Sequence, residues 1–520
     1  MIFTIPKSKI LRFSHQIPAS RVTKEIQGVL KEIFEVDSRA LPANCASSLS
    51  PFRQSFRRRR LRVSSSSVRE GEDRISLLPE PLLCHILSFL TTEEAVWTSV
   101  LSSPWRHLWK CVPRLELDTS SFASDRVCVD FIDEFLAFQG KPYYLREFKL
   151  TIDHDVFHSD VSLYEPCLGR VDMRKMERYQ VENRFEQLSV DNIATPPLTL
   201  SACEALVCLK LHFVRLNEFV SLSLPCLKTM YLEDVVMPSD AAAEALISSS
   251  PVLEVLKISV SVDDAVVALR VCSKSLKSFA LKGVERFYVR GRYSVLIDAP
   301  KLEHLSLMDY YHFKSFKIIS AADVVKVDID VEFGLMKGHL SETKMIYNLV
   351  KSFSGVEDMT ISWTSLKFIY SSFHQMKRTP KFHDLTVLRA TMCLNASPKL
   401  IPVVLESCPN LKHLTLELLI HYPEVIARLS NVLPRCLVSS LVSVEMDSPV
   451  TEITTELDLA RYFMKNSTTF KKVVLRLNQS STGEKHKPGV LEQLIESPRR
   501  SSLCQFEVIP VVTISESSIA

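Results

Sequence analysis

Two histidines, His154 and His158, have the most suggestive metal-ligand spacing in the chain. A separation of four residues places two imidazoles on one face of a helix, where they could hold a zinc ion. The surrounding segment is rich in Asp and Ser and offers no obvious third ligand, and the sequence contains no HExxH arrangement. We therefore favour a chance pairing of histidines over a zinc site.

Carboxylates and nucleophiles give no better signal for catalysis. Asp323, Asp328 and Asp330 have the spacing of a strand or turn, and the Gly and distal Glu that a calcium loop requires do not follow at the right offsets. The sequence shows no Ser-His-Asp order, no paired carboxylates and no glycine-rich phosphate loop. We expect a protein that is not an enzyme and that uses no metal and no cofactor.

The thirteen cysteines are scattered and form no CxxC pair, so reduced, mostly buried thiols are expected. Three Asn-x-Ser/Thr triplets begin at Asn395, Asn466 and Asn478, but no hydrophobic leader follows Met1. The sequence also lacks a run of about 18 apolar residues that could span a membrane. We expect the protein in the nucleus or cytoplasm, neither secreted nor inserted in a membrane.

The formal net charge of +3 conceals a basic first part. Residues 1–70 hold 14 Lys and Arg against 5 Asp and Glu, whereas the remainder holds 49 against 55. Such a mildly acidic body disfavours nucleic-acid binding. We expect residues 1–72 to be a mostly disordered extension, whose arginine run at 57–60 is a nuclear-import or phosphate-binding patch or else a solvated tail without a role.

The elements that could serve binding begin at residues 73–120. Pro79 and Pro81 suit a first helical turn, where a missing N–H is tolerated, and apolar residues then recur at helical spacing. This pattern predicts a first helix of about three turns. Thr91 and Glu94 have the spacing of a capping box, which begins a second helix.

A third helix is predicted to begin at Ser103 and Pro104, which repeat the start signal, and to end near Pro113. The apolar residues of these helices are too many for so small a unit to bury by itself, so another protein should cover part of them. The alternative is that they fill the core of a larger domain. They are Leu78, Pro79, Leu82, Leu83, Ile86, Leu87, Leu90, Val96, Val100, Leu101, Trp105, Leu108 and Trp109.

The residue order in this segment resembles the plant F-box, especially the branch fused to leucine-rich repeats. The resemblance implies a helical module that docks through those apolar residues on a Skp-type adaptor and so joins a cullin-based ubiquitin ligase. Thr91 stands where family members usually have Pro, and Ser103 and Pro104 stand where they usually have Lys and Arg. The loss of two positive charges would lower the affinity for the adaptor.

From residue 145 onward one pattern returns, written as apolar-x-x-apolar-x-apolar. The last two apolar positions of each copy have the period of a strand that faces a core, and the first belongs to the preceding turn. After a first interval of 40 residues, the copies start 21 to 32 residues apart. They begin at Leu145, Phe185, Leu206, Leu227, Leu253, Leu276, Leu302, Val324, Val356, Leu385, Leu411 and Leu441.

Segments between the copies can be helical, so strand, turn and helix are expected to alternate. Because no unit can hide its own apolar face, the units should stack. Two sets of residues fall at helical spacing, namely Ile346, Leu349, Val350 and Phe353, and Ile401, Val404, Leu405 and Cys408.

This spacing resembles irregular plant leucine-rich repeats, as does the phrase Ala299-Pro300-Lys301-Leu302. The resemblance implies a curved solenoid at 140–433 whose parallel strands line the concave face. Side chains at the variable strand positions would bind a target protein, although exposed strand faces are often polar simply because they meet water. The target-binding candidates are Lys210, His212, Tyr231, Glu233, Lys257, Lys282, Asp328, Asp330, Arg389 and Glu417.

Near residue 434 the pattern changes, and residues 434–510 resemble the FBD module that often closes plant F-box proteins. The residues that carry this resemblance include Pro434, Leu437, Leu441, Val444, Leu457, Tyr462, Phe463, Phe470, Val473, Pro498, Arg499 and Cys504. Local patterns predict strands at 442–446 and 472–477, helices at 456–465 and 490–495, and a polar loop at 478–487. We expect this α+β unit to cap the open end of the solenoid.

The expected fold is therefore α/β, with a three-helix F-box at 73–120, the repeats at 140–433, the FBD module at 434–510 and a tail at 511–520. The leading hypothesis is a substrate-recognition subunit of a Skp-cullin-F-box ubiquitin ligase. The alternative is a protein-interaction scaffold that works outside any ligase. A third hypothesis, an enzyme acting on a small molecule, would need a polar pocket that the sequence does not indicate.

Overall fold

The computed structural model divides the chain into two compact units, residues 1–196 and residues 197–520. It describes residues 76–101, 103–138, 145–154, 161–171, 173–185, 197–200, 202–219, 221–260, 266–283, 293–311, 313–320, 324–333, 340–376, 380–393, 397–419, 433–449, 455–478 and 496–511. The predicted disordered extension, His158, the polar loop and the helix at 490–495 lie outside those ranges.

Unit 1 opens with two short helices, α1 (Glu80–Leu87) and α2 (Thr92–Trp97). The predicted capping box is confirmed, because the Thr91 hydroxyl accepts from the backbone N–H of Glu94 and the Glu94 carboxylate accepts from that of Thr91. α1 is shorter than the predicted three turns. The Arg114 guanidinium donates to the backbone carbonyls of Ser88 and Leu90, at 3.0 and 2.6 Å. It therefore satisfies carbonyls just beyond the last turn of α1.

The prediction of a third α-helix is wrong, because this stretch forms two short 3-10 helices, Ser103–Trp105 and Leu108–Cys111. Both tight turns direct large side chains inward, and Trp105, Leu108 and Trp109 are buried. The Trp105 indole N–H also donates to the Ser76 hydroxyl at 2.7 Å. Tertiary packing therefore overrides the local helix signal here.

Three parallel strands follow in unit 1, with helices in their connections. Leu115 of the first strand lies opposite Phe148 of the second, which lies opposite Tyr179 of the third. The strands are β1 (Arg114–Asp118), β2 (Glu147–His154) and β3 (Arg178–Phe185), and the helices are α3 (Asp125–Phe138) and α4 (Glu165–Arg170).

The repeat pattern begins earlier than predicted. Phe185 is the last residue of β3, and the rest of the copy predicted from it lies outside the described residues. The two copies that lead into β1 and β3 are Val112, Leu115 and Leu117, and Met176, Tyr179 and Val181, all of them buried.

Unit 2 contains a sheet of parallel strands in the predicted repeat positions, and each of the ten copies predicted from Leu206 onward leads into one of these strands. In hydrogen-bonded order they are β5 (Cys208–His212), β7 (Thr229–Val235), β8 (Val255–Val260), β10 (Ser278–Lys282), β12 (His304–Tyr311), β14 (Lys326–Phe333), β15 (Asp358–Ile361), β16 (Val387–Cys393), β17 (His413–Leu419), β18 (Ser443–Pro449), β19 (Lys472–Asn478) and β20 (Gln505–Val511). A two-stranded pair, β4 (Pro197–Leu198) and β6 (Arg215–Leu216), stands apart from this sheet.

The second layer of unit 2 is only partly helical. The predicted helices near Ile346 and Ile401 are confirmed. The expected alternation of strand, turn and helix fails at three connections, which form a second parallel sheet. Its strands are β9 (Ala268–Cys272), β11 (Tyr293–Asp298) and β13 (Phe313–Ser320). The helices of unit 2 are α5 (Asp240–Ser248), α6 (Leu340–Lys351), α7 (Trp363–Met376), α8 (Ser397–Glu406), α9 (Arg435–Ser439) and α10 (Thr455–Asn466).

The C-terminal segment continues the main sheet. The predicted strands and the helix at 456–465 are confirmed as β18, β19 and α10, whereas β20 was missed. Leu414 of β17 pairs with Val444, which pairs with Val473, which pairs with Phe506, all in parallel register. Residues 443–511 therefore extend the repeat ladder by three strands rather than closing it as a separate cap.

Alternation along the strands defines the core. In most repeats the two apolar strand positions, such as Leu209 and Leu211 or Leu414 and Leu416, are buried, while the residue between them is not; Ser306, between Leu305 and Leu307, is buried as well. None of the twelve described cysteines is in a disulfide, and seven of them are buried. Within the described ranges no helix has the length and hydrophobicity to traverse a bilayer.

Candidate functional site

Two surfaces were predicted to bind partners: the helical segment of unit 1 and the outward strand positions of unit 2. In the helical segment the apolar face of α1 points into unit 1. Leu83, Ile86 and Leu87 are buried there, and Trp109 stacks on Phe131 and Phe135 of α3 at centroid distances of 5.6 and 5.9 Å. The helix that follows β1 thus covers aromatic surface that a partner was predicted to cover.

Seven of the thirteen predicted adaptor-binding residues are consequently unavailable to a partner, and their assignment is corrected. Sequence patterns identify an apolar face but not the element that covers it, and here α3 and β1 contribute to that cover. The seven are Leu83, Ile86, Leu87, Leu90, Trp105, Leu108 and Trp109.

The other predicted residues remain at least partly accessible. Pro79 is exposed, Leu78, Leu82, Val96 and Leu101 are half-buried, and the side chain of Val100 lies outside the described residues.

Two large apolar side chains missing from the predicted set are the most exposed in this segment. Leu77 is 79% exposed and Phe89 is 54% exposed, and the ring of Phe89 packs edge-on against His85 at 5.1 Å. Their positions outside the helical face are the signal that could have identified them, because only the residues on that face fill the core.

A shallow apolar cleft lies beside α2, where Val96 and Trp97 face Leu117, Phe122 and Phe131. The Trp97 indole N–H is buried without a hydrogen-bond acceptor among the described atoms. Half-buried Val96 is therefore placed where a partner could reach an apolar wall.

The same segment brings together three potential metal ligands that lie far apart in sequence. The carboxylate of Glu80 and the thiols of Cys84 and Cys111 each place one ligand atom within 4.8 Å of the other two. Burial, followed by the neighbouring Cys111 and Glu80, raises the pKa of the Cys84 thiol to about 12. The prediction that the chain offers no metal-ligand cluster relied on local spacing, which misses a pair separated by 27 residues.

In unit 2 the predicted target-binding residues all lie on strands, at positions that alternate with the buried core. Lys210, Tyr231 and Lys257 occupy equivalent positions in the neighbouring strands β5, β7 and β8, and His212 lies opposite Glu233 one row further on. Lys282, Asp330, Arg389 and Glu417 are exposed, and Asp328 is half-buried. The register therefore places the ten residues on the face of the main sheet opposite the core.

Interactions on this strand face join several of the candidates. The Lys257 ammonium lies 2.7 Å from the Glu233 carboxylate, and the Lys210 ammonium lies 5.2 Å from the Tyr231 ring centroid. Burial of Glu233 favours its neutral form, but the hydrogen bond and charge of Lys257 outweigh burial and hold the pKa of Glu233 below its usual value.

Several residues that sequence reasoning missed belong to the same face. His304 contacts the Asp328 carboxylate at 2.7 Å, and Lys282 lies 3.7 Å from Asp309. Arg476 of β19 contacts Glu445 of β18 at 3.0 Å. His304, Glu445 and Arg476 each lie next to a core residue of their strand, and this signal could have been used once the strand register was known. Asp309 lies two residues after the core residue Leu307 and lacks that signal.

Comparisons with known proteins match the arrangement of elements. The F-box domain model matches residues 75–117, the model described as FBD-associated F-box protein At5g56370, LRR repeats, matches residues 175–328, and the FBD model matches residues 430–475.

Full-length relatives in Arabidopsis thaliana resemble nearly the whole chain. The F-box/FBD/LRR-repeat protein At5g18770 is 62% identical over 85% of this chain and 92% of its own length. The FBD-associated F-box protein At5g18780 is 53% identical over 84% of this chain and 98% of its own. The putative F-box/FBD/LRR-repeat protein At5g22670 is 38% identical over 84% of this chain and 98% of its own length.

Proposed function

Because the chain belongs to the family of plant F-box proteins that carry leucine-rich repeats and an FBD domain, we propose that it is the substrate-recognition subunit of a Skp-cullin-F-box ubiquitin ligase. The F-box would dock on a Skp-type adaptor, which joins a cullin, and the repeats would bind the target. Ubiquitin transfer would belong to partner enzymes. This chain would contribute proximity, which raises the local concentration of target lysines near the loaded enzyme.

The observation that carries this proposal is the exposed apolar surface at the F-box. Leu77 and Phe89 remain in contact with water although the same segment buries its helical face inside unit 1. Exposed Pro79 and half-buried Leu78 and Leu82 lie close to them in sequence. Large apolar side chains of this kind, next to a well-packed core, are typical of a surface that a partner covers.

The target-binding role of the repeats is supported by the side chains on the strand face. Arg389 and Glu417 are exposed, and Tyr231 adds a large ring beside Lys210. Mixed charge with an aromatic side chain suits recognition of a polypeptide. We also propose that the protein acts in the nucleus or cytoplasm, where its proposed partners would meet it.

A second candidate function is a protein-interaction scaffold that uses the strand face without joining a ligase. The burial of seven predicted adaptor contacts by unit 1 itself favours this alternative, because it leaves a smaller apolar surface for an adaptor than the sequence indicates.

Adaptor retention tests the proposal. The purified full-length chain should retain a plant Skp-type adaptor in a pull-down and in a titration by calorimetry. Combined Leu77→Ala and Phe89→Ala substitutions should weaken the affinity by roughly tenfold or more, because truncation of apolar anchors at interface centres costs over about 1 kcal/mol each. Since both side chains are exposed, the melting temperature should stay within about 2 °C of wild type.

Leu503→Ala provides the matched control, because Leu503 is 70% exposed but lies in unit 2. This control should bind the adaptor as wild type does. Trp105→Phe should also bind normally, since Trp105 serves the core rather than the surface. If the wild-type chain retains no adaptor, the ligase proposal fails and the scaffold is favoured.

A further inference from the structure

Three side chains of the helical segment converge from two elements. Glu80 and Cys84 are four residues apart in α1, so they share one face of that helix. Cys111 ends the 3-10 helix Leu108–Cys111, which packs on α1. One ligand atom of each residue lies within 4.8 Å of the other two.

We propose that Cys84, Cys111 and Glu80 form a zinc-binding site. Thiolate sulfur and carboxylate oxygen are both zinc ligands, and two sulfurs bound to one tetrahedral zinc ion lie about 3.8 Å apart. Small side-chain rotations therefore suffice to close the observed separations around an ion. Water would occupy the fourth position.

Exposure and charge both suit a cation at this place. Glu80 is exposed and the two cysteines are half-buried, so an ion can enter from solvent while the sulfurs stay close to the packed interior. Among the described residues no Lys or Arg forms an ion pair with Glu80, so none of them neutralises its charge. A zinc ion would offset two of the three negative charges of the carboxylate and the two thiolates.

The cluster differs from the other cysteines that the structure describes. Within the described ranges, no other group of three His, Cys, Asp or Glu side chains has its ligand atoms this close together. Cys226 and Cys272 are exposed and belong to no such group. They supply matched controls for nonspecific zinc binding by surface thiols.

Zinc binding would tie the first turn of α1 to the last turn before β1, across residues that are distant in sequence. An ion that binds the folded state stabilises it by mass action. The expected consequence is a zinc-dependent rise in the melting temperature of the full-length protein. This inference does not depend on adaptor binding, so either proposal can fail without the other.

The experiment uses the full-length chain, stripped with a chelator, kept reduced with a phosphine and titrated with zinc chloride. Native mass spectrometry should show one tightly bound zinc ion, and the melting temperature should rise. Cys84→Ser and Cys111→Ser should each lose the ion and the rise, whereas Cys226→Ser and Cys272→Ser should keep both. Glu80→Gln should weaken zinc affinity roughly tenfold or more, since loss even of an outer-shell partner costs that much.

Glu80→Gln also guards against misfolding as an explanation, because Glu80 is exposed and circular dichroism should match wild type. The proposal is overturned if Cys84→Ser and Cys111→Ser bind zinc as wild type does. It is also overturned if zinc leaves the melting temperature of the wild-type protein unchanged. A third contrary result would be a disulfide between Cys84 and Cys111, found by peptide mapping in protein purified without an oxidant.

Discussion

Three non-glycine residues adopt positive φ at the same position of their repeats, two residues after the second core residue. They are Phe213, Asp234 and Asp309, with φ of 50°, 52° and 72°. Asp234 coincides with a register irregularity in the pairing of β7 with β8. Left-handed backbone costs a non-glycine residue about 1–2 kcal/mol, and Asp and Asn tolerate it best because their short polar side chains bond locally. These residues therefore mark a local departure from regular strand backbone beyond the second core residue.

Asp234→Asn is predicted to stabilise the protein at neutral pH. Burial raises the pKa of Asp234 above its usual value, although the Ser259 hydroxyl donates to its carboxylate at 3.1 Å. An acid whose pKa is higher in the folded state is destabilising when ionised, so stability is greatest below the unfolded pKa of about 4 and falls as pH rises through the folded pKa. An Asn side chain does not ionise, so the loss of stability with rising pH disappears. Its amide oxygen can still accept a hydrogen bond from the Ser259 hydroxyl, and Asn tolerates positive φ.

Urea unfolding at several pH values measures this effect. Asp234→Asn should show a flatter dependence of unfolding free energy on pH than wild type as pH rises above the unfolded pKa of about 4. Asp234→Ala is the comparison, because it removes the same charge but loses the hydrogen bond and tolerates positive φ poorly, so it should destabilise by about 1–2 kcal/mol. An Asn variant with the wild-type pH dependence would contradict the prediction.

Among the elements of unit 2, helix α7 packs on strand β14, and one buried hydroxyl forms hydrogen bonds between them. Ser365 is buried, its oxygen accepts from the backbone N–H of Val331 at 2.7 Å, and its O–H donates to the Val331 carbonyl at 3.0 Å. A serine in the first turn of a helix thus satisfies backbone groups near the end of a strand, where the shorter β15 provides no partner.

Ser365→Ala is predicted to destabilise unit 2 by about 1–3 kcal/mol, because it leaves the buried N–H and carbonyl of Val331 without partners. Chemical denaturation of the full-length chain measures the loss. Ser371→Ala is the matched control, since Ser371 lies on the same helix but is exposed and bonds only to its own helix. Equal stability of the two variants would show that the Ser365 hydroxyl is dispensable.

Over the whole molecule, the continuity of the sheet in unit 2 determines what the C-terminal segment does. Strands β17, β18, β19 and β20 pair in succession, and α9 packs on α8. Val444, Met446, Val473 and Leu475 are fully buried. A repeat array gains its stability from such interfaces between neighbours, so this segment should be inseparable from the repeats.

Truncation after residue 433 is therefore predicted to lower the melting temperature by more than about 5 °C and to promote aggregation, because it exposes the edge of β17 and its apolar row. Differential scanning fluorimetry and light scattering measure the two effects. Truncation after residue 511 is the control, which keeps every described strand and should melt as wild type does. If the chain ending at 433 is as stable as the full chain, the segment is an independent module.

Sequence reasoning succeeded where the determinants are local. Thr91 and Glu94 define the start of α2 because a capping box lies within a single turn. The apolar triplets from Leu206 onward place the repeat strands because alternation within a strand separates core from surface. The ten target-binding candidates therefore lie on one face of the main sheet, as the pattern predicts.

Contacts between distant residues depended on the tertiary structure. Trp109 is covered by this chain rather than by a partner, because Phe131 and Phe135 of α3 stack on its ring. The meeting of Cys84 with Cys111, the sheet formed by β9, β11 and β13, and the addition of β20 to β19 likewise join segments that no local pattern links. Burial and strand pairing each require two surfaces that meet. The sequence around a residue describes the surface to which that residue belongs, but not the surface that packs against it.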